Sequence, residues 1–144
     1  MNTVLVEKNA IEEVAKLVSD NQVVAFPTET VFGLGIKFGS YEALNSLYEL
    51  KHRDRHKAIS MMISNPKDIE KYAYVNDQAR KIIKSFMPGM VTIILKKRKF
   101  IDDYFTASLD TIGIRIPDDK FVLSLLEKTG PMLVTSANLS GEDT

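Results

Sequence analysis

Four groups of residues in this sequence have the types and spacing to bind and orient an anion. Thr28 and Thr30 come directly after Pro27, which closes the apolar run 23–26; they are two apart, so on extended backbone their hydroxyls project the same way. Thr111 and Arg115 share one side of the alternating segment TIGIRI. The segment KHRDRHK, residues 51–57, concentrates Lys51, Arg53, Arg55 and Lys57. Ser136 and Asn138 follow the last apolar run, 132–135. Hydroxyls, an amide and cations suit an anionic, polyoxygenated ligand, above all the phosphates of a nucleotide.

Each group also has a plainer reading. A basic loop after a helix is commonly a solvated end that compensates the helix dipole. Ser-Ala-Asn is ordinary turn composition, and PTET can be a polar turn after a strand. Arg115 sits within an otherwise apolar strand: on a buried face its guanidinium needs an anion, and a surface edge is the dull alternative.

The elements that would carry these residues alternate between helix and strand. Short strands are expected at 3–6, 22–27, 36–38, 59–63, 91–95, 111–116 and 132–135. Gly33 and Gly35 supply a sharp bend or a close approach to a ligand before the strand at 36–38. Helices are expected over 10–20, capped by Asn9, and over 41–50, capped by Ser40. A short one starts at Asn65-Pro66 and ends near Tyr74. The next starts at Asn76-Asp77, with Ala79, Ile82, Ile83 and Phe86 facing inward. The last is capped by Asp118 or Asp119. Residues 96–110, with KKRK at 96–99, read as a charged, irregular and mobile connection.

The totals narrow the classes. The 144 residues fit one domain with a real core. Nineteen basic residues balance nineteen acidic ones, so any anion site is local. The absence of cysteine excludes disulfides, thiolate nucleophiles and cysteine-bound zinc. His52 and His56 lie in the basic segment without a nearby carboxylate pattern, so no protein metal site is expected. No signal peptide and no run of membrane-spanning length is legible, which places the chain in the cytoplasm with no membrane partner. A GxxxxGK[ST] phosphate loop is missing, and Phe38 stands where GxGxxG requires its third glycine. No Ser–His–acid arrangement and no GxSxG occur.

Taken jointly, PTETVFGLG, Lys51-x-Arg53, FMPGMVTIIL, TIGIRIP and TSANLSG resemble, in order and spacing, the YrdC-like family of threonylcarbamoyl-adenylate synthases. The resemblance spans roughly residues 10–141. It implies an α/β (α+β) fold: one twisted, mixed β-sheet with flanking helices and a concave, positively charged face. It implies the formation of L-threonylcarbamoyladenylate and pyrophosphate from L-threonine, bicarbonate and ATP, for the t6A modification of adenosine 37 in tRNA. Position by position, Lys51, Arg53, Ser136 and Asn138 are expected around ATP and the adenylate, with Lys57 and Thr111 as further nucleotide-side contacts. Thr30 and Arg115 are expected to hold threonine, Arg115 at its carboxylate, with Ser136 also against the amino acid. Positioning and charge neutralisation suffice for such chemistry, so no residue is expected to act as a covalent catalyst; Mg²⁺ would accompany the triphosphate.

Three departures bear on activity. Asp54 stands where the family usually has proline, and Met62 where many relatives have histidine. The chain stops three residues after Gly141, without the segment bearing a Ser-Thr-Val motif that the family carries further on, so residues 1–144 are expected to be a YrdC-like domain lacking that part. A non-catalytic nucleotide- or RNA-binding module is the alternative reading, in which KHRDRHK and KKRK would contact phosphates. A carbamoyl-transferring relative of the kind used in hydrogenase maturation is a third. Further expected partners are tRNA or double-stranded RNA and the downstream threonylcarbamoyl-transferase complex.

Overall fold

The computed structural model describes residues 3–5, 10–27, 32–51 and 57–136. Seven strands form one mixed sheet: β1 (Thr3–Leu5), β2 (Val23–Pro27), β3 (Phe32–Lys37), β4 (Ser60–Met62), β5 (Thr92–Lys96), β6 (Thr111–Arg115) and β7 (Met132–Ser136). Their spatial order is β1-β2-β3-β7-β4-β6-β5. The β1/β2 and β4/β6 pairs are parallel; the other neighbours are antiparallel. The helices are α1 (Ile11–Ser19), α2 (Tyr41–Lys51), α3 (Ile69–Tyr72), α4 (Asp77–Phe86) and α5 (Lys120–Thr129).

Local chemistry sets most boundaries. Ser40 Oγ accepts from the Ala43 amide, Asn76 Oδ1 from Ala79 and Asp119 Oδ1 from Val122, each satisfying an amide that the first helical turn leaves unpaired. Asp119, not Asp118, therefore caps α5. Asn65 does the same for Lys67, but the next element is a single 3₁₀ turn, Pro66–Asp68, before the four-residue α3. Ala10 stands at the N-cap position of α1 and makes no side-chain cap; the expected cap, Asn9, lies outside the described residues.

The sheet separates two cores. On one face Leu34, Ile36, Met61, Ile93, Ile112, Ile114 and Leu133 pack against α2, α3 and α4. On the other, Val24, Phe26, Met62, Met132 and Val134 pack against α1 and α5. Alternation along each strand sends neighbouring residues to opposite faces, which is why Met61 and Met62 belong to different cores. The second core contains no residue of β5 or β6. That absence leaves part of the second face without a helix over it among the described residues.

Three expectations are corrected here. β3 begins at Phe32 rather than near Ile36, so Gly33 and Gly35 are strand residues instead of a bend. Pairing on both sides, with β2 and β7, holds them extended. Gly35 serves packing: a Cβ there would stand 2.7 Å from Met132 Cε and 2.8 Å from Phe26 Cε1. Phe86 does not face inward but is 58% exposed, while Ala79 and Ile83 carry the buried side of α4. The connection 96–110 is packed. Ile101, Phe105 and Thr106 are buried, a 3₁₀ turn spans Asp103–Thr106, and buried Lys97 donates to the Ile101 carbonyl and pairs with Asp103, each at 2.8 Å. One cation thus organises a loop that its composition presents as irregular.

Candidate functional site

Helix α2 delivers Lys51 to the sheet. Leu44, Leu47 and Tyr48 bury one side of α2 under the sheet, and Lys51 at its end is only 2% exposed. Its Nζ donates a 2.7 Å hydrogen bond to the carbonyl of Ser136, the last residue of β7. A buried ammonium needs such partners, so the plain reading of a solvated helix end does not hold for Lys51. Tyr48 donates from its hydroxyl to the Lys57 carbonyl at 2.8 Å, fixing the chain on the far side of residues 52–56. Lys57 itself is exposed.

Strand register places the remaining residues. Val134 pairs with Ser60, and β4 runs beside β6 with Met61 opposite Ile114, which sets Ser60 beside Gly113. Counting two residues from this row toward one end of the sheet reaches Ser136 on β7 and Thr111 on β6. These lie at one level, about 10 Å apart across the intervening β4. Counting two the other way reaches Arg115, about 13 Å along β6 from Thr111. Ser136, like Met132 and Val134, belongs to the face shared with Thr111, Gly113 and Arg115.

Arg115 is half-buried and lies on an interior strand, between β4 and β5. The dull alternative of an edge position is therefore excluded. Its Nε donates to the Gly89 carbonyl at 3.2 Å, and the Gly89 amide in turn donates to Ile116 at 2.9 Å, so the 87–90 turn orients the guanidinium. Burial pushes the Arg115 pKa below its ordinary value. A partly desolvated cation attracts an incoming carboxylate or phosphate more strongly than one in bulk water.

The structure thus brings Lys51 and Ser136 into contact, with Thr111 and Lys57 at the same end of the sheet. Arg115 shares the face of Ser136 and Thr111 but stands at the opposite end of β6. A ligand touching both ends must be extended. Thr28, Thr30, Arg53 and Asn138 lie outside the described residues. Ser60 and Gly113 lie side by side in the row between the two ends, a placement that only strand register reveals.

Of KKRK, Lys97 is consumed inside its loop. Arg98 lies 4.1 Å from the Tyr74 ring centroid and donates to the Glu70 carbonyl, which leaves Lys96 and Lys99. No group of three histidine, cysteine, aspartate or glutamate side chains that could hold a metal occurs among the described residues. A cleft of about 490 Å³ opens instead between α3 and α4, floored by Ile69, Val75, Ile83 and Met87. It belongs to the opposite core, and its rim arginine, Arg80, is already paired with Glu70. No described helix is long and apolar enough to cross a membrane.

The Sua5/YciO/YrdC family model, described as telomere recombination, matches residues 16–144. A putative threonylcarbamoyl-AMP synthase of Methanocaldococcus jannaschii is 39% identical over 136 residues, covering 94% of this chain and 64% of that one. The threonylcarbamoyl-AMP synthase of Bacillus subtilis is 37% identical over 135 residues, covering 92% and 39%. The chain therefore spans less than two thirds of the length of these relatives. Among solved structures, P. abyssi Sua5 complexed with L-threonine superposes with a TM-score of 0.90 at 30% identity, covering 100% of this chain and 44% of that one. E. coli YciO gives 0.86 at 25% identity, covering 98% and 72%. With its mixed sheet, its flanking helices and the motifs at Lys51 and Ser136, the chain belongs to the Sua5/YciO/YrdC family.

Proposed function

We propose that the chain is an L-threonylcarbamoyladenylate synthase, a nucleotidyltransferase that uses L-threonine, bicarbonate and ATP. The observation that carries this reading is the Lys51–Ser136 hydrogen bond. It joins the end of α2, where the Lys-x-Arg motif begins, to the end of β7, where the Ser-x-Asn motif begins. The names of the synthase relatives and the threonine complex of P. abyssi Sua5 support it.

In the proposed reaction the threonine nitrogen is carboxylated by bicarbonate with loss of water. A carbamate oxygen then attacks the α-phosphorus, and pyrophosphate leaves. Lys51, Arg53 and Lys57 neutralise the phosphates, while Thr111, Ser136 and Asn138 hold the nucleotide. Arg115 takes the threonine carboxylate, with Thr30 and Ser136 against the amino acid. The extended separation of Arg115 from the Lys51 end suits an amino acid lying in line with a nucleotide. Mg²⁺ belongs with the triphosphate, whose charge it offsets; that fits a described residue set without a carboxylate cluster. Positioning and electrostatics then supply the catalysis. The product would pass, in the cytoplasm, to the transferase complex that modifies adenosine 37 of tRNA.

Incubation with ATP, Mg²⁺, bicarbonate and threonine tests this reading. Pyrophosphate release that depends on threonine is expected, and ATP binding without such release overturns it in favour of a nucleotide-binding module. A module that grips RNA through KKRK is the weaker alternative, because Lys97 and Arg98 are engaged within the fold.

A further inference from the structure

The last turn of α2 carries two buried side chains with polar ends, Tyr48 and Lys51. Three residues apart on a helix, they are neighbours on one face. Each holds a backbone carbonyl of a different segment: Tyr48 Oη donates to Lys57 at 2.8 Å, and Lys51 Nζ to Ser136 at 2.7 Å. Lys57 lies three residues before β4 begins at Ser60, and Ser136 lies two beyond Val134, the partner of Ser60. The two carbonyls therefore sit at the same end of two neighbouring strands, and one helical turn clamps both. Within the proposed synthase, on which this step rests, Lys51 already has a role; Tyr48 has none.

We propose that Tyr48 is a positioning residue for the nucleotide: its hydroxyl sets the direction in which Lys57 leaves the chain. The carbonyl it holds belongs to the residue whose exposed ammonium is assigned to the phosphates in the proposed reaction. Fixing that peptide in the free protein removes backbone freedom that binding would otherwise have to remove, and this favours affinity. The ring of Tyr48 packs in the core beside Leu44 and Leu47, so the two halves of the residue are separable. Phenylalanine would keep the packing and release only the carbonyl. Arg115 stands at the far end of β6 and is oriented by Gly89, so the threonine end is independent of this clamp.

Calorimetry of ATP with Mg²⁺ against the full chain, without threonine, tests this. Tyr48→Phe should weaken ATP binding about fivefold, the equivalent of one ordinary hydrogen bond, and leave the KM for threonine unchanged in the pyrophosphate assay. Lys57→Ala removes the ammonium but keeps the carbonyl. In that background Tyr48→Phe should change ATP affinity less than about twofold, because residues that act through one another are not additive. Ser40→Ala deletes the cap at the other end of α2, so it should lower the denaturation midpoint while ATP affinity is kept. ATP affinity that survives Tyr48→Phe, equal weakening in both backgrounds, or equal weakening by Ser40→Ala overturns the inference and leaves the synthase reading standing. A wild type that binds ATP but releases no pyrophosphate overturns the synthase reading, and the same ATP comparisons still decide the role of Tyr48. A wild type that binds no ATP overturns both.

Discussion

Lys51 and Ser136, far apart in sequence, are joined by a 2.7 Å hydrogen bond from the buried Nζ to the backbone carbonyl at the end of β7. The ammonium bridges a helix end and a strand end, so its removal should affect both the fold and the ligand. Lys51→Met keeps the volume of the stem and deletes the charge. A hydrogen bond to a charged group contributes about 1.5–3 kcal/mol, and a loss of that size is expected in urea denaturation. Threonine-dependent pyrophosphate release should fall at least about tenfold, the equivalent of one such hydrogen bond to phosphate in the transition state.

Arg115→Ala separates orientation from stability. The substitution removes the donor to Gly89 and the partly desolvated guanidinium, while the β6 ladder is left in place. Threonine dependence should disappear, the circular dichroism spectrum should not change, and the KM for ATP should shift little. Arg115→Lys should restore only part of the rate, because an ammonium cannot reproduce the fork of a guanidinium. Normal turnover by Arg115→Ala would take this residue out of the site.

Gly35→Ala tests packing rather than chemistry. Its added Cβ would press on the flexible Met132 tip and on the stiffer ring edge of Phe26. Overpacking of this kind costs about 1–3 kcal/mol, which should lower the denaturation midpoint while the activity per folded molecule is kept.

Tyr41 and Asp102 form a titration couple on the surface. The Tyr41 hydroxyl donates to Asp102 at 2.5 Å, and the Tyr104 amide donates to the same carboxylate. The Tyr41 bond first, then the Tyr104 amide and the nearby Lys97 charge, hold the Asp102 pKa below the ordinary carboxylate value. The same bond raises the Tyr41 pKa. Because the folded carboxylate has the lower pKa, its contribution to stability is present above the unfolded pKa and is lost as pH falls through the depressed value. For Tyr41 the sign is opposite: the contribution is present below its unfolded pKa and is lost as pH rises through the elevated one. In Tyr41→Phe, NMR titration should find the Asp102 pKa moved back up toward the ordinary carboxylate value.

Much of this arrangement is legible in the residues. Ser40, Asn76 and Asp119 announce their helices because capping is a local event that needs no tertiary partner. The alternation of TIGIRI places Thr111 and Arg115 on one face for the same reason. The hidden part depends on residues distant in sequence. Gly33 and Gly35 read as a bend because nothing local shows that β2 and β7 clamp them straight. Lys97 reads as part of a solvated basic tract because its partners, Asp103 and the Ile101 carbonyl, become apparent only once the loop has closed. Ser60 and Gly113 come side by side only through register, since nothing local announces which strands flank β6. Thr30, Arg53 and Asn138, central to the resemblance, lie outside the described residues.

The position of β7 has a consequence for how the protein comes to exist. The last described strand takes the middle place of the sheet, between β3 and β4. Until it inserts, the sheet is two separate pieces, β1-β2-β3 and β4-β6-β5, and Lys51 has no Ser136 carbonyl to meet. Closing so long a loop is a slow, late event in folding. The Lys51–Ser136 end of the site should therefore form in one step with β7, whereas Arg115, on β6 and oriented by Gly89, does not wait for that strand.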